Sequence, residues 1–112
     1  DPTALKLGEL LEKFFLLRNV KQATALSYKN ATEEFAKFLK NPPITRISTS
    51  DVTRWQEHLA QKGNVPRTID GKVGVIKAIY NFAKKHGYTR GDNPAANRDL
   101  LTKKQKQRLR DF

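Results

Sequence analysis

Apolar residues recur at three- and four-residue spacing in four stretches of this chain, and no stretch shows the strict alternation of a half-buried strand. In TALKLGELLEKFFLLRNV, Thr3 can cap a helix whose Leu7, Leu10, Leu11, Phe14, Phe15 and Leu17 repeat at helical spacing, ending near Asn19. A second helix is predicted from about Gln22 to Leu39, with Thr24, Tyr28, Ala31, Phe35 and Phe38 on one stripe. Asn41-Pro42-Pro43 stops it, and ITRI is expected to cross over in extended form. Thr49 or Ser50 is placed as the cap of a third helix carrying Val52, Trp55 and Leu59, with Gly63 as its left-handed end. Pro66 opens the fourth helix and Gly87 closes it. A short basic helix from Thr102 to Phe112 has only Leu109 and Phe112 to bury. The expectation is an all-α domain, a compact bundle of four main helices with a basic C-terminal tail. Its core should join Tyr28, Phe35, Phe38, Trp55, Leu59, Val73, Ile76, Tyr80 and Ala83.

The fourth helix raises a question, because Gly71 and Gly74 sit inside it and each costs roughly 1 kcal/mol relative to alanine. On a wheel of about 100° per residue, Ile69, Val73, Ile76, Ile79, Tyr80 and Ala83 form an apolar arc that Val75 and Phe82 widen. Arg67, Asp70, Gly71, Gly74, Lys77, Asn81, Lys84 and Lys85 gather on the other side. Both glycines therefore lie on a polar, basic face, where they let a bulky anion approach, fit under a neighbouring loop, or reflect drift at an exposed site. On the second helix Gln22, Ala25, Lys29 and Ala36 form a similar small and basic face. Thr24 and Thr68 stand early in these two helices, as helix-end groups or as hydroxyls for a phosphate.

Charge narrows the choice of partner. The 112 residues hold 22 Lys and Arg against 11 Asp and Glu, a formal +11. Residues 66–94 carry six basic and two acidic side chains, and residues 95–112 carry the same numbers, so most of the excess falls in the last two segments. Such a concentration favours a polyanion, nucleic acid first. No apolar run approaches the roughly 18 residues of a membrane span. An anionic membrane surface is the weaker alternative, because the apolar residues near the basic ones are committed to a core, so no membrane partner is expected. Cysteine is absent, which removes disulfides and thiolate chemistry and fits a reducing compartment. Methionine is absent too, and the sequence is read as processed or cut from a longer chain.

The order T24-x-x-x-Y28, F35-x-x-F38-L39, I44-x-x-I47-S48-x-x-D51-V52, T68-I69, I76-x-x-I79-Y80-x-F82-A83, G87 and N93-P94-A95 resembles the core-binding domain of tyrosine recombinases, the phage-integrase family. The resemblance covers about residues 3–95 and rests on order and spacing. It implies a SAM-like helical domain, residues 1–95, that clamps one side of a DNA duplex. Residues 96–112 would be linker and the possible start of the catalytic domain. The implied partners are double-stranded DNA, the protein's own catalytic domain and other protomers of a recombinase tetramer. The implied setting is cytoplasmic, bacterial or phage-encoded, with association to the nucleoid when DNA is bound. Carried over by position, Thr24 and Thr68 would meet phosphates, while Lys29, Arg67 and Lys72 would lie near groove or backbone. The polar face of the fourth helix adds Gly74 and Lys77. Many relatives have serine three residues before each threonine, whereas this chain has Lys21 and Val65.

In such enzymes a tyrosine hydroxyl attacks the scissile phosphate and arginine and histidine donors stabilise the developing charge. Those motifs follow the core-binding domain, and no match to them occurs in this sequence. Tyr28 and Tyr80 fall on apolar stripes and are read as core, and Tyr88 as a turn anchor. His58 and His86 stand apart without partners at ligand spacing, so neither a metal nor a cofactor is expected. The chain alone is read as a binding domain without catalysis. Two other readings stay open: a helical protein-interaction module using the first helix, and an unrelated helical DNA-binding domain.

Overall fold

The computed structural model describes residues 5–101. Four α-helices, α1 (Leu7–Leu17), α2 (Gln22–Leu39), α3 (Thr49–Gln61) and α4 (Pro66–Lys85), make up the domain, with a 3₁₀ turn at Ile44–Arg46 between α2 and α3. Among the described residues the β-type pairing is a single antiparallel bridge from Lys6 to Pro43. The all-α expectation is met. The residue that caps α1 is Lys6, not the expected Thr3: the helix begins at Leu7, and Glu9 accepts the Lys6 N–H at 3.1 Å. The tail helix expected from Thr102 to Phe112 lies outside the described residues.

α4 is the central element and contacts each of the other three helices. Its Ile69, Val73, Ile76, Ile79, Tyr80 and Ala83 are buried, and Val75 and Phe82 widen the buried arc as the wheel requires. They meet Leu7, Leu10, Leu11 and Phe14 of α1, Phe35 of α2, and Val52, Trp55 and Leu59 of α3. Phe35 and Trp55 lie with ring centroids 4.6 Å apart. Tyr28 and Phe38, expected in the core, pack at its edge and remain half-buried. Leu17, expected on the apolar stripe of α1, is 58% exposed. The Tyr80 hydroxyl donates to the Ile44 carbonyl at 2.7 Å and so ties α4 to the 3₁₀ turn.

Two further local expectations are corrected. The segment ITRI is not extended: Ile44–Arg46 winds into a 3₁₀ turn because Ile44 and Ile47 must both turn inward, and both are buried. The cap of α3 is Ser48, not Thr49 or Ser50. Its Oγ accepts the Asp51 N–H at 3.3 Å while Asp51 Oδ2 accepts the Ser48 N–H at 2.9 Å. Only Ser48 stands three residues before an acid, so only it can form this reciprocal pair. The ends of α3 and α4 follow the expected chemistry, with Gly63 at φ 99° and Gly87 at φ 81°, a region costly to other residues.

Beyond α4 the chain folds back along it. Asn93 donates to the Lys77 carbonyl and to Asn81 Oδ1, both at 2.9 Å, and its own Oδ1 accepts the Ala95 N–H at 3.0 Å. Asp70 accepts the backbone N–H groups of Leu100 and Leu101 at 2.7 and 3.0 Å, and Gln56 donates to the Arg98 carbonyl at 2.6 Å. Residues 93–101 are thus bonded to α3 and α4 through side-chain and backbone groups.

Candidate nucleic-acid interface

The N-terminal halves of α2 and α4 lie side by side and leave an open groove of about 610 Å³. Ala23, Leu26, Ser27, Asn30, Ala31 and Glu34 line it from α2, and Thr68, Gly71, Lys72 and Val75 from α4. Small residues keep it open. A Cβ added at Gly71 or Gly74 meets no atom within 4 Å, so neither glycine fits under a loop or serves the packing of the core. Their faces are open to solvent, which removes the loop reading and leaves close approach of an anion or drift at an exposed site.

The ends of these two helices differ from those of the other two. α1 and α3 carry an acid in the first turn, and Glu9 and Asp51 each accept the backbone N–H of the residue preceding the helix. α2 and α4 have no acid in the first turn and no side-chain cap at Lys21 or Val65. Their positive dipole ends are not neutralised locally, the condition that suits an anion. Neither Thr24 nor Thr68 occupies the cap position of its helix, which weakens the reading of these threonines as ordinary caps.

At the inner end of the groove Glu34 holds two cations, Lys72 Nζ at 2.8 Å and Lys62 Nζ at 3.1 Å. One carboxylate therefore joins α2 to α4 and to the residue ending α3. Burial pushes the Glu34 carboxyl up, but the hydrogen bonds and charges of Lys72 and Lys62 outweigh it and hold the group below its ordinary value. Asp51 behaves alike: burial raises it, and the Ser48 N–H, Arg54 and the Ser48 hydroxyl bring it down further than that.

The residues singled out from the sequence are divided by the fold. Thr68 and Lys72 line the groove, and Lys72 already has a carboxylate partner. Thr24 and Arg67 are exposed in the first turns of the two helices that form it. Gly74 and Lys77 are exposed on α4 outside the groove lining, Lys77 on the side where Asn93 docks. Lys29 is turned to the opposite flank of α2, where with Ala36 it borders a depression against Gly8, Leu11 and Phe15 of α1. The face of α2 that meets α4 is instead Ala23, Leu26, Ser27 and Asn30, which the sequence reading passed over. Their helical spacing to Glu34 was visible, but the wheel alone does not say which helix lies opposite.

The tyrosines are placed as packing residues. Tyr80 is buried, and burial followed by the charge of Asp51 pushes its hydroxyl far above the ordinary range, so it stays protonated. Tyr28 stacks on Phe14 at 5.4 Å, and Lys13 lies over the Tyr88 ring at 5.5 Å. Among the described residues no cluster of three His, Cys, Asp or Glu side chains is placed to hold a metal, and no helix is long and apolar enough to cross a membrane.

Comparison with known proteins gives a consistent result. The model of the phage integrase N-terminal domain matches residues 4–101. Tyrosine recombinase XerD of Rickettsia bellii is 29% identical over 96 residues, covering 84% of this chain and 31% of the relative. XerD of Rickettsia prowazekii is 30% identical over 96 residues, 84% of this chain and 30% of its own length. The chain thus spans less than a third of these relatives. Among solved structures, a lambda integrase tetramer bound to a Holliday junction superposes with a TM-score of 0.73 at 17% identity, covering 90% of this chain and 30% of that one. The Tn1549 transposon integrase in complex with transposon right end DNA superposes at 0.71 with 23% identity, covering 96% of this chain and 38% of that one. At these identities the superpositions establish the fold.

Proposed function

The chain belongs to the phage integrase N-terminal domain family, and from that membership we propose that it is the DNA-binding, core-binding domain of a site-specific tyrosine recombinase, clamping one side of the recombination-site duplex. The observation that carries the reading is the groove between α2 and α4, open, flanked by two uncapped helix N-termini, in a chain of formal charge +11. Exposed backbone N–H groups and cations suit phosphates, and the small residues between them admit a duplex closely. Thr24, Arg67 and Thr68 take the phosphates beside the groove. Lys72 joins them on leaving Glu34, and Gly74 and Lys77 border the same duplex on the outer flank of α4, whereas Lys29, turned toward α1, stands away from it. The structural neighbours solved with DNA, and one of them as a tetramer, support DNA and further protomers as partners.

Strand cleavage through a phosphotyrosine belongs, in this reading, to a catalytic domain that follows in the parent protein, with residues beyond 95 leading into it. The isolated chain binds and does not cut. Fluorescence anisotropy with duplex DNA at graded salt tests the reading. Neutralising roughly 3 to 5 phosphates gives a log–log slope of about −3 to −4.5. Affinity that does not change with salt, or a covalent adduct on a suicide substrate through Tyr28, Tyr80 or Tyr88, contradicts it.

A further inference from the structure

The α2 rim of the groove differs in chemistry from its surroundings. Ala23, Leu26, Ser27 and Asn30 carry no charge, whereas Lys21, Arg67 and Lys72 are the cations of the neighbouring turns. Leu26 is 58% exposed there, and Asn30 is exposed with its amide unpaired among the described residues. Leu26 has nothing to offer a phosphate, and an apolar side chain one turn from a free amide matches the edges of bases. In the major groove the thymine C5-methyl is the apolar feature, and adenine N7 with N6–H₂ is the pair that an asparagine amide meets with two hydrogen bonds.

Resting on the proposed function, we propose that Leu26 and Asn30 are the sequence-reading residues of this domain, Leu26 against a thymine methyl and Asn30 bidentate on an adenine. They stand four residues apart on α2, one above the other on the same face, about 6 Å along the axis. That is less than two base-pair rises of about 3.4 Å, so the two contacts fall on base pairs no more than two steps apart. The cations and helix ends set the register, and this pair supplies the selectivity for A·T pairs.

The test uses the 112-residue chain and selection from a pool of duplexes with a randomised centre, followed by atom-level changes in the enriched sequence. Replacing one thymine by uracil removes only the methyl and should weaken the parent chain about fourfold, the factor for one buried methyl. The same change should leave Leu26→Ala unaffected. Replacing an adenine within two pairs by 7-deazaadenine removes N7 and should weaken the parent by about fivefold or more, with no effect on Asn30→Ala. Both variants change exposed side chains, and cooperative circular-dichroism melts no lower than the parent's confirm that they fold. Enrichment without A·T preference, or base analogues that weaken the variants as much as the parent, overturns the assignment of these two residues while DNA binding stands. A parent chain that binds no duplex in low salt overturns the proposed function and this inference with it.

Discussion

Replacing Gly71 by leucine separates stability from binding, because the structure makes the two effects opposite in sign. Gly71 is exposed in the second turn of α4, and a Cβ built there meets nothing within 4 Å. Leucine is nearly as good a helix former as alanine, so the exchange recovers most of the roughly 0.8–1 kcal/mol that glycine costs in a helix interior. In a domain of this size about 1 kcal/mol raises Tm by about 4–8 °C. The new side chain projects into a groove of about 610 Å³ already bordered by Leu26 and Val75. A duplex seated there must withdraw or displace it, and the expected loss is at least about tenfold in Kd, or ~1.4 kcal/mol. Gly74→Leu should stabilise equally, since its surroundings are as open, and should weaken binding less because it lies outside the lining. Thermal melts and anisotropy on the same preparations read both quantities. If Gly71→Leu melts higher yet binds DNA as tightly as the parent, the groove does not receive the duplex and the role given to the glycines is refuted.

Arg67→Ala should lower affinity and make the salt slope less steep by about 1, whereas Lys72→Ala should change the slope less, because Lys72 must first leave Glu34; a titration series for each variant checks this. Glu34→Gln should make stability less sensitive to acid. The folded carboxyl lies below its ordinary 4.5, so its contribution is complete above that pH and is lost as pH falls through the folded value; the Tm difference between parent and variant should shrink from pH 7 toward pH 3. Ser48→Ala removes the hydroxyl half of the α3 cap and should cost about 1 kcal/mol in urea denaturation, while Thr49→Ala costs little because Thr49 is not the cap.

Much of the fold was legible because it depends on local chemistry. The predicted limits of α2 match Gln22–Leu39, and Pro66 begins α4 as its fixed φ favours. The apolar arc of α4 is so broad that its central position followed from the wheel. Pairings between distant parts of the chain were not legible. The Glu34 carboxylate meets cations 28 and 38 residues away, and Asp70 holds amides 30 and 31 residues on. Nothing in local spacing selects such partners. The same limit explains the α2 face: periodicity grouped Lys29 with Ala36 correctly, yet only the placement of α1 shows that this face borders α1 and that the one bearing Leu26 and Asn30 borders α4.

The most direct test of the account is a ¹H–¹⁵N titration of the labelled chain with a duplex obtained by selection. The account predicts that the largest shift changes fall on amides of residues 22–30 and 67–72, with the α1 amides near Leu16 and Leu17 unmoved. Changes concentrated on α1, with the two helix N-termini silent, contradict it.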